Sequence, residues 1–345
     1  MFKMNKMVDI QRFAGDLNTN TTGTSTLSPE MKTFYDKTLL DEAQPELVHD
    51  QFGQERNIPK GGGKIIEFRK FSALPKATTP LTEGVTPDGK ALTVTSKTAT
   101  VSQYGDYVAL SDMLELTAID NTIVETLSII GSQAGRTLDT VTREKLAAGT
   151  NVMYVPTPGA NGAETAVTSR ATLTKKNVLT VKQVFKAAAA LKAANAKPIN
   201  GNYVAIIHPY VAYDLMMEAG NQWIDIQKYK NPENIYEGEI GKIGGVRFVQ
   251  TTEAKVWKGT GDNCADGVAV FGTLFIAANA YGKTSVEGGG LETIVKQKGS
   301  AGTADPLNQR STIGWKAVKT AEILTEEYMI RVESGSSWND QVEAN

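Results

Sequence analysis

Several absences narrow the field before any feature does. Cys264 is the one cysteine in 345 residues, so no intrachain disulfide can hold the fold and a reducing compartment is compatible. Only His49 and His208 could supply an imidazole. His49 sits in a polar stretch, and His208 ends an apolar run beside Pro209, where a satisfied strand-end role is expected. A histidine-based triad would need one of them, and no G-x-S-x-G nucleophile elbow is present. There is no apolar run of about 18 residues, so no membrane-spanning helix is expected. The net charge is −2 and no Lys/Arg cluster offsets it, which leaves no field for gripping nucleic acid. The opening MFKMNKMVDIQRFAG lacks an apolar h-region and does not read as a secretory signal. With 41% hydrophobic and 21% charged residues, the composition is that of a soluble, intracellular globular chain of about two domains.

The motifs that could carry chemistry fail one by one. GGGK at Gly61–Lys64 lacks the first P-loop glycine and has Ile65 in place of Ser/Thr. GEIGKIGG at Gly238–Gly245 has the wrong spacing for a dinucleotide fingerprint. DNCADG at Asp262–Gly267 puts Cys264 where a calcium ligand belongs and Thr273 where the closing acid belongs. Cys264 has no companions at metal-ligand spacing. Glu326 and Glu327 are read on one C-terminal strand, where neighbours face opposite ways and cannot pair as catalytic carboxylates. No catalytic, metal or cofactor-binding residue and no cofactor is therefore expected, which favours a structural or binding protein over an enzyme.

What the chain does have is a long amphipathic stretch. From Thr117 to Ala147, apolar residues at Ile119, Ile123, Leu127, Ile130, Ala134, Leu138, Val141 and Leu146 follow helical spacing. Thr117 with Asp120 reads as a capping box and Gly149 as the stop, giving a rod of roughly 45 Å. Gly131 and Gly135 inside it cost about 1 kcal/mol each in helix propensity, so something must pack closely there; the expectation is crossing strands. Before the helix, residues 1–30 are Thr/Asn/Ser-rich and cannot bury a core of their own. Met31–Leu47 reads as a short amphipathic helix. KIIEFRKF (Lys64–Phe71) and ALTVTSKTATV (Ala91–Val101) read as strands of a long finger whose tip holds Pro75, Pro80 and a Pro87–Gly89 turn. A two-stranded finger is marginal by itself, so it must lie on its own domain or reach a neighbour.

Tyr104–Leu110 reads as a strand, with Ser111 capping a short turn, and Asn151–Val155 as another strand. Thr180 is expected to cap a helix with Val181, Val184, Phe185, Ala188 and Leu191 on one face. YVAIIH (Tyr203–His208) is a strand covered on both faces, and Pro209 opens a helix that Gly220 closes. Strands follow at Val246–Gln250 and Val268–Ile276; residues 277–314 read as irregular, and Ala321–Val332 as one long strand with Tyr328, Ile330 and Val332 on one face. The class is α+β.

This order of parts resembles the major capsid protein of tailed bacteriophages, the Hong Kong 97-type fold. Particular segments are similar to the coliphage N-four-type branch: YDKTLL (Tyr35–Leu40), GGGKIIEFRKF (Gly61–Phe71), PLTEGVTPDG (Pro80–Gly89) and VSQYGDYVALSDMLELTAID (Val101–Asp120). QAGRTLDTVTR (Gln133–Arg143), AGTNVMY (Ala148–Tyr154), YVAIIHPYVAYDL (Tyr203–Leu215) and IGGVRFVQT (Ile243–Thr251) extend it. The resemblance implies an N-terminal arm (1–57), a β-hairpin E-loop (58–110) and a P domain with a spine helix (111–175). An A domain (176–317) and a C-terminal strand returning to the P domain, with a tail (318–345), complete the plan. It implies a structural subunit that assembles with itself as homo-pentamers and homo-hexamers into an icosahedral virion shell around double-stranded DNA, without sequence-specific binding. Portal, scaffolding and possible decoration proteins are the implied partners, with assembly in the host bacterial cytoplasm. Subunit contact would fall on the E-loop tip, Lys76, Pro80, Glu83, Gly84, Pro87, Asp88, Gly89 and Lys90. The spine core would be Ile119, Ile123, Leu127, Ile130, Leu138 and Val141. Lys76, Lys90 and Lys97 lie on the finger, but no motif marks an asparagine for a Lys–Asn crosslink. The competing readings are an encapsulin-like bacterial shell protein, a non-enzymatic binding module that uses the finger, and an enzyme with an unrecognised site.

Overall fold

Apolar periodicity and turn chemistry produce an α+β chain. The computed structural model describes residues 29–43, 46–71, 74–86, 88–117, 122–159, 163–225, 236–300 and 305–345. The N-terminal stretch to residue 28, the capping position Asp120, Ile119 and Pro87 lie outside the described residues. In chain order the elements are α1 (Pro29–Ala43), β1 (Ile65–Phe71), β2 (Val94–Thr100), β3 (Ser102–Ser111), α2 (Asp112–Thr117) and α3 (Thr122–Ala147). Next come β4 (Val152–Tyr154), α4 (Val181–Ala193), β5 (Tyr203–Ile207), α5 (Pro209–Ala219), β6 (Glu239–Ile243) and β7 (Val246–Gln250). The last are β8 (Ala269–Ile276), β9 (Tyr281–Ser285), β10 (Glu292–Lys296), β11 (Arg310–Ile323) and β12 (Met329–Ser334). They fall into two units, one of residues up to Glu46, Gln103–Gly135 and Gly289–Val318, the other of Leu47–Ser102, Arg136–Gly288 and Lys319–Asn345.

The larger unit is built on a sheet ordered β4-β12-β8-β5-β7-β6, with a short strand at Ile224–Asp225 beside β6 and another at Val256–Lys258 on β8. β5 runs parallel to β7 and antiparallel to β8. All five of its residues are buried. Tyr203, Ala205 and Ile207 join Val184, Leu191, Val211 and Leu215 of α4 and α5 in one core. Val204 and Ile206 join Phe52, Leu146, Leu274 and Tyr281 in the other. Alternate residues therefore feed opposite faces, which is why this strand reads as an unbroken apolar run. Each fully buried Ile or Leu contributes roughly 1.5–3 kcal/mol of transfer free energy.

Several expectations need correction. Thr180 precedes α4 in extended conformation but makes no side-chain cap; Glu218 Oε2 accepts from Val181 N at 2.9 Å instead. Phe185 is 47% exposed and stands off the buried face, its ring lying over Gly244. Ala321–Val332 is two strands, because a tight turn at Glu326–Tyr328 separates β11 from β12. Glu326 and Glu327 sit in that turn rather than on a strand, and Glu326 Oε2 accepts from Thr150 N. Residues 277–314 likewise are not irregular throughout, since β9, β10 and the start of β11 lie within them.

The smaller unit holds α1, β3, α2, β10, the first part of β11 and the first half of α3. β3 and β10 pair with β11. The long helix begins at Thr122, not Thr117: Thr117 ends α2, and its hydroxyl donates to Met113 O at 2.6 Å. The glycines on α3 are crossed by a helix rather than by strands. A Cβ on Gly131 would lie 2.9 Å from Glu42 Cβ, and one on Gly135 would lie 2.5 Å from Ala43 O, both on α1. Glycine is retained because the α1 backbone occupies the space a side chain would need.

Gly135→Ala tests this crossing. The alanine gains about 1 kcal/mol in helix propensity, whereas overpacking against a carbonyl costs about 1–3 kcal/mol. The expected net result is a lower denaturation midpoint, and a raised midpoint would show that α1 does not lie there. A second test uses His208, 8% exposed, whose Nδ1 accepts from Tyr210 N at 3.2 Å as the cap of α5. Burial lowers its pKa to about 4 from the usual 6.5. The unfolded chain then takes a proton that the folded chain refuses, so stability falls as pH drops from about 6.5 to about 4, by about 3 kcal/mol in all. His208→Asn, which keeps a capping acceptor, should flatten that part of the stability curve; an unchanged slope would assign it to other groups.

Candidate assembly surface

The finger grows from β1 and β2, paired antiparallel from Ile65↔Thr100 to Phe71↔Val94. Alternation places Ile66, Phe68, Lys70, Thr95, Lys97 and Ala99 on one face and Ile65, Glu67, Arg69, Phe71, Val94, Ser96, Thr98 and Thr100 on the other. Phe68 and Ala99 are buried, each 4% exposed, and the other face is open throughout. Phe68 lies where a Cβ on Gly282 would be, 2.6 Å from that position, so the finger's root is seated on β9 through an aromatic ring on a glycine. The Lys70 ammonium stands 5.3 Å from the Tyr328 ring centroid on the same side.

Beyond the root nothing covers the finger among the described residues. Lys76, Pro80, Glu83, Gly84, Asp88, Gly89 and Lys90 are all exposed. Gly84 takes φ +77°, next to a turn closed by Val85 N donating to Thr82 O at 3.2 Å. Apolar side chains stand in the open along the whole length: Ile65 is 63% exposed, Phe71 61%, Leu81 78% and Leu92 63%. On the open face, hydrogen bonds from Arg69 and Ser96 hold the Glu67 carboxyl below its ordinary pKa. In the smaller unit Tyr107, Met113 and Leu116 of β3 and α2 are exposed in the same way.

The spine residues named from sequence divide by position. Leu127, Ile130 and Leu138 are buried, Ile123 and Val141 are half-buried, and Ile129 points outward at 70% exposure. The larger unit contains what the sequence did not signal. His49 is fully buried, with its backbone N and Nδ1 at 2.7 and 2.6 Å from the carboxylate oxygens of Asp139 on α3. Asp50 accepts from Thr142 Oγ1 at 2.7 Å and pairs with Lys319, and the Tyr281 hydroxyl donates to His49 O. Burial raises the Tyr281 pKa well above 10 and keeps it neutral. Glu333, also fully buried, accepts from Arg170 and Arg331, and Arg331 Nη1 donates to Ala147 O and Gly149 O at the end of α3. The first network joins partners 90 to 269 residues apart, and the second ties Arg331 and Glu333 to groups 163 to 184 residues earlier, so no local pattern announces them.

These groups are joints, with the chemistry of salt links and caps. Burial raises the Cys264 thiol to about 11, far from a reactive thiolate. Among the described residues no group of three or more His, Cys, Asp or Glu could hold a metal ion. No described helix is long and apolar enough to cross a membrane.

The comparisons agree with this geometry. A family model described as phage capsid protein matches residues 88–300, more than half of the chain. No curated protein matches the sequence. Among solved structures, the capsid of Ralstonia phage GP4 superposes at TM-score 0.62 with 13% identity over 93% of this chain and 96% of that one. The capsid of cyanophage P-SCSP1u gives TM-score 0.59 with 15% identity, covering 84% and 89%. The capsid of cyanophage Pam1 gives 0.58 with 12% identity, covering 98% and 99%. At such identities the structures speak for the fold, and the matching family model carries the kinship. The chain belongs to the phage capsid protein family and is a structural major capsid protein of the virion.

Proposed function

We propose that copies of this chain assemble as pentamers and hexamers into an icosahedral shell that encloses double-stranded DNA, and that the chain performs no catalysis. The carrying observation is the open finger, with Ile65, Phe71, Leu81 and Leu92 exposed on a hairpin whose own contacts bury little beyond Phe68 and Ala99. Apolar surface of that kind is retained when a partner covers it, and the partner present at highest local concentration in a shell is a second copy. Residues 58–110 then serve as the E-loop, 111–175 as the P domain with the spine helix, and 176–317 as the A domain. The segment 1–57 is the arm, and 318–345 return to the P domain and end the chain. The tip residues Lys76, Pro80, Glu83, Gly84, Pro87, Asp88, Gly89 and Lys90 are the proposed contact with a neighbouring subunit. A net charge of −2 suits a container that must not hold its cargo by charge. Scaffolding and portal proteins acting in the host cytoplasm, with decoration proteins as a further possibility, complete the scheme.

Deleting Lys76–Lys90 tests the finger's part. Because that segment contributes no buried residue among those described, the monomer should keep its far-ultraviolet spectrum and lose less than about 1 kcal/mol of stability. Closed particles should vanish from sedimentation profiles. Shells that still form at full yield would remove the finger from assembly.

A further inference from the structure

Within the larger unit, the root of the finger and the turn at Glu326–Tyr328 border a cavity of about 290 Å³. Phe68, Leu324 and Tyr328 supply its apolar wall. Its charged lining has one sign: Arg56, Arg69, Lys70 and Lys97 line it, and no acidic side chain does among the described residues. The cluster is not visible as a run in the sequence, because the β1–β2 ladder brings Lys70 and Lys97 together from opposite strands.

Most of this charge is unmatched. Arg69 is paired with Glu67 at 3.1 Å on the open face of the finger and is already neutralised. Arg56 Nη1 donates to Glu67 O at 3.2 Å, a backbone carbonyl that carries no net charge. Lys70 has only the Tyr328 ring, 5.3 Å from its ammonium, and Lys97 has no partner among the described residues. Phe68 stands opposite Lys97 and Lys70 opposite Thr95, so the two lysines are diagonal neighbours on one face. At about 7–8 Å between such positions, like charges repel unless an anion lies between them.

The neutral groups favour the same kind of ligand. Thr325 lines the cavity at 5% exposure, and its hydroxyl has no hydrogen-bond partner among the described residues. A buried hydroxyl left unpaired costs free energy that a bound acceptor recovers. The exposed side chains of Asn279 and Gln54 add amide hydrogens to the lining. A carboxylate would bring one charge and two oxygens to three unmatched cations and these donors. A phosphate group brings up to two charges and more acceptor oxygens.

We infer that this cavity binds a phosphate group, the chemistry shared by the free anion and a nucleic-acid phosphate. Arg56, Lys70 and Lys97 supply the countercharge, and Thr325 Oγ1 donates to a phosphate oxygen. Phe68 and Tyr328 shield that side from water. The site lies within one chain and does not depend on how the shell is built.

The test is equilibrium dialysis of the full-length protein against radiolabelled inorganic phosphate at fixed ionic strength. Binding should saturate near one phosphate per chain. Lys97→Gln removes an exposed, unpaired charge, so it should keep the parent melting temperature in phosphate-free buffer and bind at least tenfold more weakly. Thr325→Val keeps the side-chain shape, loses the hydroxyl, and should also weaken binding without lowering that melting temperature. Equal competition by dimethyl phosphate and unlabelled phosphate would support the site and assign it to a nucleic-acid backbone. Competition by phosphate and methyl phosphate alone would support it as a seat for free or terminal phosphate. Absence of saturable binding, equal competition by acetate (the mark of a seat for a neighbour's carboxylate), or unchanged affinity in Lys97→Gln would each overturn the proposal.

Discussion

A two-stranded ladder cannot bury both of its faces, and that constraint shapes the rest of this protein. The finger's one anchored face depends on Phe68 resting on Gly282, a contact only a glycine permits. Its other face and its tip stand free, with large apolar side chains in water. A monomer designed for solubility alone would have charged that face. Here the apolar surface is kept exposed, and the larger unit supplies rigidity through a sheet covered on both sides. The exposed finger makes sense on a subunit whose neighbours are copies of itself.

The units owe their internal firmness to joints made from distant residues. α1 lies against α3 where Gly131 and Gly135 leave room for a backbone. In the larger unit, Asp139 and Asp50 gather a histidine, a threonine and a lysine. Arg331 closes the end of α3 while sharing Glu333 with Arg170, whose guanidinium stacks 3.8 Å from the Trp257 ring centroid. Removing one member of such a buried set leaves an uncompensated charge, which costs several kcal/mol, so these positions are expected to be less tolerant than any on the finger.

Much of the fold could be read from local pattern because the patterns reflect local causes. The run at Tyr203–Ile207 is apolar since both faces are covered, and Pro209 and Gly220 bound α5 through backbone geometry alone. The antiparallel pairing of Ile65–Phe71 with Val94–Thr100 follows from β-branched content and a Pro/Gly-rich connection. What failed depends on tertiary partners. Gly131 and Gly135 signalled a close approach, but their own sequence could not say that α1 makes it. His49 sits in a polar stretch, and nothing near it in sequence points to its burial, because its partner lies 90 positions away. Tyr328 read as part of a strand by alternation, although the turn at Glu326–Tyr328 breaks it. Phe185 fits the helical stripe of α4, yet it lies over Gly244, a glycine at φ +60° whose missing side chain makes space for the ring. Of the candidate assembly surface, the sequence showed two strands of a finger that is marginal by itself; that its apolar residues lie in the open depends on which distant parts of the chain pack against it, and no local pattern states that.

The central claim is that the protein forms shells from copies of itself. Its most direct test is cryo-electron microscopy of the full-length chain produced in bacteria, with and without the proposed scaffolding partner, alongside sedimentation velocity. The account predicts closed particles with fivefold and sixfold clusters, each subunit's finger lying on a neighbour. A single slow-sedimenting monomer at high concentration, with scaffold present and no particles in the images, would contradict it.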